Sequence, residues 1–165
     1  MATLKDISDA IVYEINNATS GTFNRTFVAK VLWANRKIPL TESNVLRVDV
    51  CPIGETARLL ARGRHQKIYE IHVGVRKRYV ESELMQNGVI DDVEVSDLAT
   101  LIEQLAKFFL PKQPNTTGLR LATIQEATFW GTDGTLEIVP VILWEHLETL
   151  KQFTGFFPLS VKVPE

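Results

Sequence analysis

The chain predicts an α+β domain: a mainly antiparallel or mixed sheet with a long projecting β-hairpin, two main helices packed on one face, and a short C-terminal helix before the last strand. Three observations carry this expectation. Two segments, near residues 4–17 and 96–109, repeat apolar residues at helical spacing. Several others alternate apolar and polar residues, the period of a strand with one wet face. Strands also outnumber helices, which leaves too few crossovers for an all-parallel sheet.

In the first segment Leu4, Ile7, Ala10, Ile11 and Ile15 share one face of a helix from about Leu4 to Asn17. Thr3, with Asp6 three residues on, is placed to cap it. Gly21 and the small polar residues of "NATSGTFNRT" then form a loop. Phe27 to Trp33 is rich in β-branched and aromatic residues and reads as a strand. After an interruption at Pro39 and "LTESN", Leu46, Val48 and Val50 alternate with Arg47, Asp49 and Cys51, in a strand that Pro52 is expected to end.

The hairpin spans about residues 57–79. Its first arm, Ala57 to Arg62, is short and turns through "RGRH", where Gly63 supplies a positive φ. In the second arm Tyr69, Ile71, Val73 and Val75 fall on one face, with Glu70, His72, Gly74 and Arg76 on the other. An acidic linker, about 80–97, leads to the second helix, Ser96 to Phe109. Its apolar stripe is Leu98, Leu101, Ile102, Leu105, Phe108 and Phe109, and Ser96 is the expected N-cap. "PKQPNTTG" reads as a loop, "RLATIQEATFW" as an alternating strand and "GTDGT" as a turn. A short helix, Leu143 to Lys151, is expected to carry Trp144, Leu147 and Leu150 on one side. The last strand places Phe153, Phe157, Leu159, Val161 and Val163 on one face, with Gly155 between them. Residues 1–165 are read as a single domain without internal repeats.

Composition narrows the function classes. The 165 residues are 45% hydrophobic and 23% charged, the balance of an ordinary globular domain. A net charge of −2 argues against a dedicated nucleic-acid binder. The single cysteine, Cys51, closes no intrachain disulfide and supplies no multi-cysteine metal site, so it points to a reducing compartment. Lys5, Asp6, Asp9 and Glu14 interrupt the N-terminal apolar residues, so no signal-peptide h-region is read there. No run approaches the roughly 18 apolar residues of a membrane helix. Sequons at Asn17, Asn24 and Asn115 carry little weight without a signal peptide.

No catalytic, cofactor-binding or metal-binding set is expected, and the chain is not read as an enzyme. It has no phosphate-binding glycine loop with its Lys-Ser/Thr, and no Gly-x-Ser-x-Gly nucleophile elbow. His65, His72 and His146 are scattered; with Cys51, the first two would give three zinc ligands at best. The carboxylate pairs Asp91-Asp92 and Glu81 with Glu83 lack an apolar flank to push one pKa away from the other. Trp33, Trp130 and Trp144 read as core or interface residues rather than a base-stacking platform.

Charge is distributed unevenly along the chain. From Arg58 to Arg78 there are seven basic residues, Arg58, Arg62, Arg64, Lys67, Arg76, Lys77 and Arg78, against the single Glu70. From Glu81 to Asp97 there are six acidic residues, Glu81, Glu83, Asp91, Asp92, Glu94 and Asp97, and no basic one. A solvated, edge-protecting strand face accounts for much of the basic charge. Tyr69 alternates onto the apolar face, so the hairpin offers no aromatic platform for bases. The remaining alternatives are a channel lining and a docking arm. In the second, the basic arm of one copy meets the acidic segment of the next in a head-to-tail contact that can close into a ring.

Across nearly the whole chain, the order of "LKDISDAIVYEIN", "FVAKVLWANRKIPLTE", "LRVDVCPI", "QKIYEIHVGVRKR", "VSDLATLIEQLAKFFL" and "LWEHLETLKQFTGFFPLSVKV" resembles the tail-terminator or tail-completion proteins of long-tailed bacteriophages. The most specific parts are the strand ending in "GVRKR" before an acidic run and helix, and the "EHL" helix leading through "QFTGFF" into a final strand. The resemblance implies a structural virion protein at the tail–head junction, assembled in the host cytoplasm. Such a subunit forms a homo-oligomeric ring, commonly a hexamer, on the head-proximal end of the tail tube. Its implied partners are further copies of itself, the tail tube protein and a head-completion or connector protein. DNA passes through the channel without specific binding, and no membrane or cofactor is implied. Around "ESELMQNGVID" and "PKQPNTTG" the chain departs from that pattern. Two other readings stay open: a head-completion or neck adaptor on the portal side, and a non-specific nucleic-acid-binding module that uses the basic hairpin.

Overall fold

Local chemistry starts the first helix. In α1 (Leu4–Asn16) the Asp6 N–H donates to the Thr3 hydroxyl, and the Thr3 N–H donates to the Asp6 carboxylate at 2.8 Å. This reciprocal box satisfies two backbone donors that a helix start otherwise leaves unpaired. Ile7, Ala10, Ile11 and Ile15 are buried along one face, as their spacing predicts. The structure, a computed structural model, describes residues 2–33, 44–110, 121–124, 127–130 and 138–164.

Among the described residues six strands form one sheet: β1 (Ala29–Val31), β2 (Arg47–Ala61), β3 (Arg64–Arg78), β4 (Thr128–Trp130), β5 (Val141–Ile142) and β6 (Gln152–Pro164). The order is β1-β2-β3-β6-β4, and β5 also pairs with β6. β1 runs parallel to β2 and every other pairing is antiparallel. The sheet is therefore mixed and mainly antiparallel. Two further helices, α2 (Asp92–Phe109) and α3 (Trp144–Thr149), complete the α+β arrangement.

Strand alternation sorts the sheet into two faces. Val48 and Val50 of β2, Tyr69, Ile71, Val73 and Val75 of β3, and Phe153, Phe157, Leu159 and Val161 of β6 are buried in one core with α1 and α2. The Tyr69 hydroxyl donates to the Ala2 carbonyl at 2.6 Å, which gives its buried polar end a partner. Phe109 of α2 meets Phe129 and Phe157 at ring-centroid distances of 5.2 and 6.2 Å. Residues one position out of phase, including Asp49, Cys51, His72, Gly74, Arg76, Thr154 and Phe156, lie on the opposite face.

Several boundaries differ from the sequence expectation. Pro52 does not end β2. The ladder with β1 closes with the Leu32 N–H on the Val50 carbonyl at 2.9 Å. The next parallel rung would need an N–H from residue 52, and proline has none. On the β3 side the strand continues, through a register shift between Pro52 and Gly54 that absorbs Ile53 as a bulge. β2 and β3 are thus one long hairpin from residue 47 to residue 78, closed at Gly63 with φ +77°.

The second helix begins at Asp92, earlier than Ser96. Asp91 is its cap, accepting from the Val93 N–H at 3.0 Å, while the Ser96 carbonyl lies inside the helix and accepts from the Thr100 hydroxyl. The last third of the expected acidic linker is therefore helix, with Asp92 and Glu94 in the first turn, where the dipole favours negative charge. β1 and β4 take only three residues each from the longer alternating stretches. In α3, Leu147 packs on the core but Trp144 and Leu150 are exposed, because His146 and Leu147 make the face that meets β6. Trp33 is likewise 45% exposed rather than core. The expected loop "PKQPNTTG", the turn "GTDGT", the interruption at Pro39 and the side chain of Trp130 lie outside the described residues.

Candidate subunit-contact surfaces

The hairpin outruns the domain that carries it. β6 ends at Pro164, opposite Gln66 of β3, and β1 pairs with β2 only at Val48, Asp49 and Val50. Val163 is still buried opposite Lys67, so past the last rung with β6, Gln66 opposite Pro164, the arm runs on only about three residues to its turn, or roughly 10 Å at strand rise. Glu55, Thr56, Ala57, Arg58 and Leu59 are exposed on the way out, and Arg62, Gly63, Arg64 and His65 at the tip. Leu59, an apolar residue, is 65% exposed there.

The seven basic residues do not form one surface. Arg58, Arg62 and Arg64 are exposed at the tip. Lys67 and Lys77 fall on the helix-covered side of β3, where Lys67 lies 3.9 Å from Glu55 and Lys77 lies 3.6 Å from Glu94. The Lys77 ammonium also rests 4.8 Å from the centroid of the Tyr79 ring. Arg76 and Arg78 occupy the other side; Arg76 approaches Asp49 at 3.4 Å and Arg78 is exposed.

The six acidic residues divide in the same way. Glu94 is held by Arg25, by the Tyr79 hydroxyl at 2.8 Å and by Lys77. Asp97 lies 3.6 Å from Arg25. Burial pushes the Glu94 carboxyl up, but its hydrogen bonds to Arg25 and Tyr79 outweigh this and hold its pKa below the ordinary value. Burial and the same carboxylate push the Tyr79 phenol up. Glu81, Glu83, Asp91 and Asp92 remain exposed, with Glu83 accepting from the Val80 N–H at 3.1 Å. Arg25 lies in a stretch read from sequence only as loop, so its partnership with Glu94 was missed; Asn24 fixes that loop by donating to the Asp97 carbonyl and the Gln104 side chain.

Tip and acidic segment lie at opposite ends of the molecule. They are separated by the length of β3, 15 residues or roughly 50 Å. The Tyr79 N–H donates to the Lys151 carbonyl at 2.9 Å, which fixes the start of the acidic segment beside the C-terminal end of α3. The tip arginines cannot reach Glu81, Asp91 or Asp92 of their own chain.

On the face away from α1 and α2 lies a trough of about 320 Å³, lined among others by Leu32, Asp49, Cys51, His72, Arg76 and Phe156. Asp49, only 4% exposed, accepts from Arg47 at 2.8 Å and is approached by Arg76. Sequence alternation places Arg47 and Asp49 on one face and so permits this pair. Cys51 is directly opposite His72 across the strands. Burial, with the Asp49 charge, pushes the thiol up to about 11, and burial lowers the His72 pKa. At neutral pH both are uncharged, the opposite of a thiolate–imidazolium nucleophile. His72 stacks on Phe156 at 5.4 Å, His65 is at the tip, and His146 bonds Thr154 at 2.9 Å, so the histidines are not brought together. Among the described residues no three His, Cys, Asp or Glu side chains gather to hold a metal ion, and no helix is long and apolar enough to cross a membrane.

Compared with protein-family models and with curated proteins, the chain matches none of them.

Proposed function

We propose that this chain is a structural subunit of a homo-oligomeric ring that caps the head-proximal end of a phage tail tube, ending tube polymerisation and joining tail to head. The observation that carries the assembly part is the arm. A strand pair that leaves its own core with three exposed arginines at its tip has, about 50 Å away, an exposed acidic segment that the same chain cannot bring to it. A second copy offers each of them its complement. A contact between unlike surfaces of identical subunits is head-to-tail, and it makes a ring when the rotation closes. The placement at the tail rests on the sequence resemblance.

The ion pairs refine which charges serve this contact. Lys77, Glu94 and Asp97 are engaged within the chain, so the contact falls to Arg58, Arg62 and Arg64 on one copy and Glu81, Asp91 and Asp92 on the next. Reversing all three tip arginines to Glu is expected to leave the fold intact and abolish the closed oligomer, read by native mass spectrometry. An unchanged oligomer would count against the arm. For the placement, electron microscopy of particles made without the protein is the test: overlong tails support a terminator, and tube-length tails detached from heads support a portal-side adaptor.

A further inference from the structure

The two margins of the sheet carry a second pair of unlike surfaces. At the β1 margin a groove of about 190 Å³ is lined by Val28, Lys30, Val45 and Leu46, with Val28 68% and Val45 58% exposed. At the opposite margin, where β5 flanks β6, Val139, Val141 and Trp144 are 59%, 42% and 56% exposed within six residues of sequence. Grouped apolar exposure of this kind marks interaction surfaces. The margins also carry opposite charge. Lys30 is exposed in the first groove, while Glu145 and Glu148 of α3 are exposed beside Trp144, and none of the three has an ion pair among the described residues.

We infer that the β1 margin of one copy docks on the β5–α3 margin of a second copy, with Trp144 and Val141 covering the Val28–Val45 groove and Lys30 meeting Glu145 or Glu148. The inference rests on the reading that copies assemble, and it adds the surface that holds neighbouring sheets side by side. Both occupants follow from the chain itself. Both margins expose apolar side chains, their exposed charges, Lys30 on one and Glu145 and Glu148 on the other, differ in sign, and they lie on opposite edges of one sheet, so each complements the other better than its own kind. Like charges would oppose a symmetric pairing of two β5–α3 margins. A large aromatic side chain set in a shallow apolar groove is the usual form of an interface hot spot.

The test uses two full-length variants, Val28→Glu and Trp144→Glu, each altering an exposed residue at one margin, with circular dichroism to verify folding. Each alone is expected to weaken self-association roughly 30-fold or more, the effect of losing a central anchor. Mixed in equal amounts, with Arg58, Arg62 and Arg64 also reversed to Glu in both so that the arm contact is absent, they are expected to form a dimer containing one copy of each variant and nothing larger, because one unlike margin stays intact on each. Neither a symmetric contact nor a structural defect produces that capped heterodimer. If both variants assemble as the unaltered chain does, the margins are not the interface, even where reversal of the arm arginines still abolishes assembly. If the unaltered chain stays monomeric at its highest soluble concentration, both the margin contact and the ring reading are overturned.

Discussion

Glu94 accepts hydrogen bonds from Arg25 and Tyr79 and lies 3.6 Å from Lys77, so one carboxylate ties the loop after α1, the end of β3 and the start of α2 together. Replacing it with Ala leaves the buried Tyr79 phenol without its acceptor and the half-buried Arg25 guanidinium with Asp97 alone, 3.6 Å away. The expected loss is about 1–3 kcal/mol in urea unfolding, against a small effect for exposed Glu81→Ala. The pH dependence has a definite sign. Because the folded-state pKa lies below the ordinary 4.5, the contribution is present above that value and is lost as pH falls through the folded pKa. Stability should therefore drop on acidification below about pH 4.5, and a Glu94→Gln variant should drop less steeply over the same interval. Cys51 makes a separate residue-scale prediction. With its pKa raised from 9.0 to about 11, the thiolate fraction near pH 8 is about 100-fold below that of an unperturbed thiol. Alkylation by iodoacetamide should slow correspondingly relative to a free cysteine; an equal rate would contradict the assigned environment. Neither Glu94's partners nor the Cys51–His72 pairing was legible from sequence. The first depends on an arginine 69 positions away, and the second on a strand register set by two irregularities, between Pro52 and Gly54 and between Leu59 and Ala61.

At the scale of elements, periodic segments were read well and their ends less so. α1, the long second arm and β6 appear where alternation or helical spacing placed them, because burial of one face enforces the pattern. Boundaries moved where a local interaction outweighed the pattern. Asp91, accepting from Val93, starts α2 ahead of Ser96, and β3 carries β2 past Pro52 because proline lacks only a donor that β1 no longer needs. The amphipathic reading of α3 failed at Trp144, since a helix of six residues turns only one narrow face to β6. Gly155 tests the packing between β6 and α2. A Cβ there would lie 3.2 Å from the Phe153 ring and 3.6 Å from Ile102, and the ring is fully buried. Gly155→Val should cost about 1–3 kcal/mol or more, as overpacking does. Gly74→Ala, whose nearest contacts are 3.5 and 3.7 Å, should be milder. Comparable losses from the two in thermal unfolding would contradict that close approach.

At the scale of the whole molecule, the sequence carried the charge asymmetry but not its geometry. Seven basic and six acidic residues in successive segments suggested complementary surfaces, yet only the fold separates those consumed within the chain from those left at its two ends. Arg58, Arg62 and Arg64 belong to the tip, whereas Lys67, Arg76 and Lys77 stabilise the sheet that presents it. Such an arm also predicts how assembly responds to salt. The arm contact is exposed and electrostatic, so added salt should weaken it, while a contact at the apolar margins should persist. The central claim, that this chain is a self-assembling ring subunit, is tested most directly by native mass spectrometry of the unaltered protein beside the variant with Arg58, Arg62 and Arg64 reversed to Glu. The account predicts one closed stoichiometry, a hexamer by resemblance, for the first and folded species smaller than that ring for the second. A monomer in both, or the same oligomer in both, would contradict it.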